Sequence, residues 1–258
     1  MSPADVEAWG WRVPFMLGLL IGPVGWYIRR HTEEPPEFAQ ALRERQAREK
    51  SGVQAPKPSP WIAIRAYPRE SVAGFCITVL WTVCTYFFLV YMPTYAIKQL
   101  HLPAGSALIS NSIALLVAAL ALPFFASMAD RHGPRKLLQI ASALMLVAAY
   151  PALLVLSQSP TVGTLITVQA AFAVLIAAYT GPAGGAIATL FPADIRSTGI
   201  SIAYNFAVTI FGGFAPFIAT WLIGTTGNPL SPSWYVAAAA LIAFFGAQQL
   251  GKIQNLRK

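Results

Sequence analysis

The chain has 258 residues, of which 56% are apolar and only 11% charged, with a formal net charge of +8. Its mean hydropathy is +0.56. A soluble domain carries about a quarter charged residues on its surface, so an ordinary soluble fold is excluded.

The 28 charges are clustered, and the stretches between them define the elements. A membrane-crossing helix needs about 20 apolar residues. Charge-free runs divided at Ser157-Gln158-Ser159-Pro160 and at Thr225 through Pro232 predict seven spans, at about 10–28, 72–97, 104–128, 137–157, 162–190, 198–224 and 233–250. The predicted fold is all-α, an integral membrane bundle of seven transmembrane helices.

The first span is short and interrupted by Pro14, Gly18, Gly22, Pro23 and Gly25. Such residues are tolerated at depth when neighbouring helices cover the backbone. The residues before it are not expected to form a secretory signal, because they carry Asp5 and Glu7 and no basic leader. A polar loop of about 40 residues follows, with a charged helix-compatible run from Glu37 to Lys50 and a Pro-rich stretch from Ser51 to Pro60. The expected organisation is an isolated transmembrane helix at 1–30, a cytoplasmic linker at 31–70 and a six-helix bundle at 71–258.

Orientation follows from counting Lys and Arg on alternate sides. Sixteen fall on one side, and only Arg12 and Lys98 on the other. The bias predicts an external N-terminus and a cytoplasmic C-terminus, in a plasma (inner) membrane. Because the basic residues stand at span ends, with no basic stripe beside aromatics, the net charge does not predict a nucleic-acid partner. Cys76 and Cys84 share one span eight residues apart, about 12 Å along a helix and too far for a bridge. No Cys/His grouping has metal-ligand spacing, and His31, His101 and His132 all lie outside the spans. No metal or cofactor is expected, and with no carboxylate pair or Ser/His pairing in the membrane, neither is an enzyme.

Two turns on the basic side are informative. Phe125 through Lys136 joins the third and fourth spans: Gly133 permits a sharp reversal, Pro134 suits the first position of the next helix, and Asp130 is able to pair with Arg131, Arg135 or Arg196. Phe191 through Gly199 repeats the theme, with Ser197 or Thr198 expected to cap the following helix. Either turn could equally be a simple positive-inside anchor.

Together these turns resemble those of the major facilitator superfamily, whose pattern is Gly-x-x-x-Asp-Arg-x-Gly-Arg-Arg/Lys. Here Ala126 replaces the first Gly, and Pro134 the first Arg of the pair. The resemblance extends to metabolite:proton symporters similar to citrate, tricarballylate, dicarboxylate, shikimate and proline/betaine carriers. It rests on Gly10-Trp11-Arg12-Val13-Pro14-Phe15, Glu33-Glu34-Pro35-Pro36-Glu37-Phe38, Tyr91-Met92-Pro93-Thr94-Tyr95, Phe191-Pro192 through Gly199, Tyr204-Asn205, and Phe211-Gly212-Gly213-Phe214-Ala215-Pro216.

The resemblance implies that the first span is the sixth helix of a twelve-helix fold and that the rest is the C-terminal six-helix half. The implied function is proton-coupled symport of a small organic acid or related metabolite by alternating access. The implied partners are the metabolite, the proton, the lipid bilayer and the missing N-terminal helices. Asp130, Arg131, Gly133, Arg135 and Arg196 would form the cytoplasmic gate.

The residues themselves offer mid-depth polar groups as substrate-lining candidates: Trp81, Thr85 and Tyr86 in the second span, Asn111 in the third, Gln169 and Tyr179 in the fifth, and Tyr204 and Asn205 in the sixth. Small hydroxyls such as Thr78, Thr82, Ser112 and Thr180 also commonly bond to their own helix. Gly212-Gly213 suits close helix contact and bending more than ligand contact. No span interior contains Asp, Glu, Lys, Arg or His, so the groups that would bind a carboxylate or carry a proton are expected outside this chain. Alone it is not expected to transport. Alternatives are a non-transporting remnant, a half-transporter needing a partner, and a seven-helix receptor.

Overall fold

A computed structural model describes residues 3–31, 64–192 and 195–256. The charged run Glu37 to Lys50, the Pro-rich linker, Asp194, Arg257 and Lys258 lie outside the described residues. The chain divides into two units, Met1–Pro56 and Lys57–Lys258.

In the first unit the expected single span is a series of short helices: α1 (Pro3–Ala8), a 3-10 turn at Gly10–Arg12, α2 (Val13–Gly18) and α3 (Ile21–His31). The break follows Gly18, where the amide of Leu19 reaches back to Met16 and that of Gly22 to Leu19. Glycine is costly inside a helix. Pro23 at the third position of α3 sits where its missing N–H leaves no helical bond unmade.

The second unit holds six helices long and apolar enough to cross a membrane. The first crosses as α4 (Pro68–Cys84), a π-helical stretch at Thr85–Tyr91, and α5 (Met92–Lys98). Then come α6 (Ala104–His132), α7 (Pro134–Gln158) and α8 (Val162–Ala188). The fifth crosses as α9 (Arg196–Ala207), a second π-helical stretch at Val208–Gly213, and α10 (Ala215–Thr226); α11 (Pro232–Leu256) completes the unit. Six such helices therefore stand where seven were expected among the described residues, the difference being the broken first segment.

The helix ends follow local chemistry. Gly133, at φ +85°, turns the chain between α6 and α7, and Pro134 opens α7 as the sequence predicts. Thr161 caps α8 by accepting the Thr164 amide at 3.1 Å. Gly227, at φ +65°, closes α10 in the left-handed region. Ser197 and Thr198 do not cap α9, because that helix already begins at Arg196 behind Ile195.

The prolines fall into two groups. Pro123, Pro151 and Pro182 are carried inside continuous helices. Pro93 and Pro216 instead stand at the start of α5 and α10, each directly after a π-helical stretch. A proline withdraws the N–H that the carbonyl four residues earlier would accept. At these two places the chain widens its turn and starts a new helix, a device frequent at functional sites.

Small residues set the packing distances. A Cβ on Gly246 of α11 would stand 2.7 Å from the Cys76 Cβ and 3.1 Å from the Ile77 nitrogen, so α11 lies directly on the α4 backbone. Gly181 does the same for α8 on α6, where a Cβ would be 3.0 Å from the Ala126 nitrogen. Close approach over small residues is how helices associate when lipid removes the hydrophobic drive between them. Outward faces are apolar: Leu120 is 72% and Phe217 66% exposed. On a water-soluble protein so many exposed apolar side chains would be a liability. In a bilayer they are matched to the solvent.

Candidate functional site

The two spans interrupted by π-helical stretches pack against each other, and three of the eight lining candidates, Trp81, Tyr86 and Tyr204, meet across their shared face. Trp81 of α4 meets Tyr204 of α9 edge-on, ring centroids 5.6 Å apart and planes at 73°. Thr85 and Tyr86 open the first π-helical stretch, both half-buried. A Cβ on Gly212 would lie 3.0 Å from Cδ2 and Cε2 of Tyr86 and 3.1 Å from the Thr82 Cβ. Gly212 therefore lets the Tyr86 ring lie against the second π-helical stretch, the close contact expected for it from sequence.

This face is tied at several points. Phe75 meets Phe211 edge-on at 5.9 Å. The Tyr235 hydroxyl on α11 donates to the Phe211 carbonyl at 2.5 Å. The Tyr91 and Thr220 hydroxyls share a 3.0 Å hydrogen bond, and the Tyr95 hydroxyl donates to the Pro229 carbonyl at 2.9 Å. The fifth span thus has a polar bond to the first through Thr220 and to the last through Phe211, and the turn that follows it is tied to the first through Pro229. Tyr91 and Tyr95 belong to a segment that carries the resemblance, but no hydroxyl partner was expected for either, and Tyr235 was not singled out, since a Tyr in an apolar run looks the same whether or not its hydroxyl has a partner.

Asn205 is exposed, its amide nitrogen donating to the Ser201 carbonyl one turn back at 2.7 Å.

Asn111 and Gln169 belong to a different cluster. Gln169 of α8 is fully buried. Its Oε1 accepts from the Ser110 hydroxyl, and its Nε2 donates to Asn111 Oδ1 and to the Phe88 carbonyl, both at 3.2 Å. Phe88 lies in the first π-helical stretch, where lengthened turns leave carbonyls open to outside donors, and its ring stacks on Phe172 at 3.8 Å. Gln169 therefore fastens α6, α8 and the wide turn together. Tyr179 is buried as well, donating to the Ile77 carbonyl of α4 at 2.9 Å.

The small hydroxyls mostly satisfy themselves. Thr78 donates to Gly74, Thr82 to Val79, Ser112 to Leu108 and Thr180 to Ile176. Ser110 is the exception, because Gln169 lies within its reach.

At the basic end, Asp130 and Arg131 are exposed near the end of α6. Arg135 is not: it lies across α11 so closely that a Cβ on Gly251 would be 2.3 Å from its Nη1, and its Nε is buried without a hydrogen-bond partner among the described residues. Arg196 Nε donates to the Phe191 carbonyl at 3.4 Å, holding the turn before α9. Gly133 contributes the reversal alone.

The family model described as sugar (and other) transporter matches residues 2–250. The chain is 32% identical over 241 residues to a citrate-proton symporter of Klebsiella pneumoniae, covering 93% of this chain and 52% of that protein. To a protein of Staphylococcus haemolyticus named as a proline/betaine transporter it is 31% identical over 246 residues, covering 95% of this chain and 50% of that one. A citrate-proton symporter of Salmonella typhi is 31% identical over 236 residues, covering 92% and 52%. The chain spans about half the length of the curated relatives it matches.

Proposed function

Because the chain belongs to the sugar (and other) transporter family of the major facilitator superfamily, we propose that it is the C-terminal part of a proton-coupled symporter of a small organic acid or related metabolite. The observation that carries this is the pair of interrupted spans facing each other through Trp81 and Tyr204. Broken or widened helices at mid-depth are where transporters of this kind hold substrate, and rocking of one bundle against another exposes it to either side. Trp81, Thr85, Tyr86, Tyr204 and Asn205 are the proposed substrate-facing residues. Gln169, Asn111 and Tyr179, whose polar atoms bond to neighbouring helices, are proposed as the frame that holds them.

An organic anion is favoured by likeness to the citrate-proton symporters. No Asp, Glu, Lys, Arg or His lies between residues 71 and 97, 137 and 193, or 197 and 251. The cation for the substrate and the group that carries the proton are accordingly assigned to helices outside this chain. In this proposal the segment at about 10–28 supplies a seventh crossing, the sixth of the full fold. The basic turns face the cytoplasm of an inner-membrane protein, and Asp130, Arg131, Gly133, Arg135 and Arg196 form the gate there.

The test is a hybrid in which this chain replaces the aligned half of the Klebsiella pneumoniae citrate-proton symporter, reconstituted in proteoliposomes under an imposed pH gradient. Citrate uptake dependent on the gradient is expected from the hybrid and not from the 258-residue chain alone. Gradient-driven uptake by the chain alone would overturn the assignment of its missing charges to other helices. A folded, membrane-inserted hybrid that moves neither citrate nor betaine would overturn the transport reading.

A further inference from the structure

Short turns make consecutive spans run in opposite directions. The start of α4, the end of α6, the start of α7, the start of α9 and the end of α11 therefore share one end of the unit, as the contact of Arg135 with Gly251 requires. Arg69, Arg131, Arg135, Lys136, Arg196 and Lys252 all stand at that end, and Lys98 at the other. Between the first turns of α4 and the last turns of α11 lies a groove of about 580 Å³, lined by Pro68, Arg69, Val72, Gln249, Lys252 and Ile253. Arg69 and Lys252 are exposed. Val72, one turn deeper on α4, is 58% exposed and lies in the charge-free run from Ser71 to Ile97. The acidic Glu70 beside Arg69 is not among the lining residues.

We propose that this groove binds the headgroup of an acidic phospholipid. It joins two cations from different helices to an apolar wall at the level where the membrane-crossing stretches begin. Basic pockets between helices at that depth suit anionic headgroups. Arg69 presents a planar fork to a phosphodiester and Lys252 a point charge from the opposite wall. Gln249 adds an amide donor, and the acyl chains leave along the exposed side of Val72. A soluble anion would gain nothing from that apolar side. The inference uses the membrane placement of the six helices and does not depend on what is transported.

The test uses the purified 258-residue chain in nanodiscs of phosphatidylcholine with or without phosphatidylglycerol, with lipid retained after extraction into mild detergent counted by native mass spectrometry. Retained phosphatidylglycerol is expected for the parent chain. The pair Arg69→Gln with Lys252→Gln should reduce it to the phosphatidylcholine background. The pair Arg65→Gln with Lys136→Gln, which removes the same charge from exposed sites outside the groove, should retain it. The charge-conserving pair Arg69→Lys with Lys252→Arg should also retain it, which separates lost recognition from lost folding. Equal loss in both glutamine pairs would mean general attraction to the basic end and would overturn the proposal. So would displacement of the lipid by inorganic phosphate at millimolar concentration, which would mark a small-anion site.

Discussion

The hydroxyl of Tyr179 on α8 donates to the backbone carbonyl of Ile77 on α4 at 2.9 Å, with both residues buried. That carbonyl already belongs to a helix, so the phenol is its second donor and its loss leaves no acceptor empty. Replacement of Tyr179 by Phe should lower stability by only about 0.5–1 kcal/mol, the range of interhelical polar bonds in membranes. Thermal unfolding of the purified chain in detergent reads the shift. A substrate-facing role would show differently, as weakened substrate binding in the hybrid transporter at an unchanged melting temperature.

Gln169 is more demanding, because three partners converge on one side chain. Gln169→Leu strands the Asn111 Oδ1 without its donor and removes the acceptor from Ser110 in a buried setting. The expected cost is about 1–3 kcal/mol. Combining it with Ser110→Ala removes the stranded hydroxyl too, so the double variant should lose less than the sum of the two singles. A coupling of at least about 0.5 kcal/mol in that cycle is the signature of the cluster. Strict additivity in the unfolding data would mean that Gln169 and Ser110 act independently.

How much of this was legible beforehand differs from residue to residue. The six long helices were readable from charge-free runs, since a bilayer forces apolar length upon any segment that crosses it. The widened turns were not read, although Pro93 and Pro216 were visible. Pro123, Pro151 and Pro182 look the same in sequence, yet their helices continue unbroken. Whether a proline widens a turn depends on what neighbouring helices offer to the freed carbonyl. Gln169 could be placed against protein or water but not assigned to either, because its partners lie 58 and 81 residues away in the chain. In the first segment the apolar composition was legible and the local backbone was not: the clustering of Gly18, Gly22 and Pro23 divides it into short helices.

Gly246 and Gly184 provide a matched pair for testing helix contact. A Cβ at Gly246 would press on the α4 backbone through the Ile77 nitrogen and Ala73 carbonyl, whereas one at Gly184 meets nothing within 4 Å. Backbone yields poorly, so Gly246→Ala should cost about 1–3 kcal/mol. Gly184→Ala should be neutral or stabilise by up to about 1 kcal/mol, through the better helix propensity of alanine. Parallel unfolding curves decide it, and equal effects would mean that α11 does not lie on α4 as described.

The proposed orientation has its own readout. In a Cys76→Ala, Cys84→Ala background, a cysteine at Asn228, in the turn between α10 and α11, should react with a membrane-impermeant maleimide in intact cells. One at Lys136, at the start of α7, should react only after the cells are opened. The opposite labelling pattern would invert the topology drawn from the lysine and arginine bias.

Gly212 is the sharpest probe of the proposed substrate face, because it combines an interrupted span with an aromatic side chain. Its missing side chain is what allows the Tyr86 ring and Thr82 to sit against the second π-helical stretch, and a methyl group there would overlap both at 3.0–3.1 Å. The ring is the more mobile neighbour, so Gly212→Ala should swing Tyr86 away at little cost in stability. The neighbours must yield by a few tenths of an ångström, and displacing a positioning group slows a step that depends on the bound geometry. In the hybrid symporter, gradient-driven uptake by Gly212→Ala should therefore fall severalfold, by about 2–5 times. Gly213→Ala, whose Cβ would meet only the Val208 carbonyl at an ordinary 3.8 Å, should stay near the parent rate. Trimming the ring with Tyr86→Ala in the Gly212→Ala background relieves the crowding on the ring without restoring the contact, so uptake should remain low. Uptake restored by that second substitution would assign the defect to crowding alone and remove Tyr86 from the substrate face.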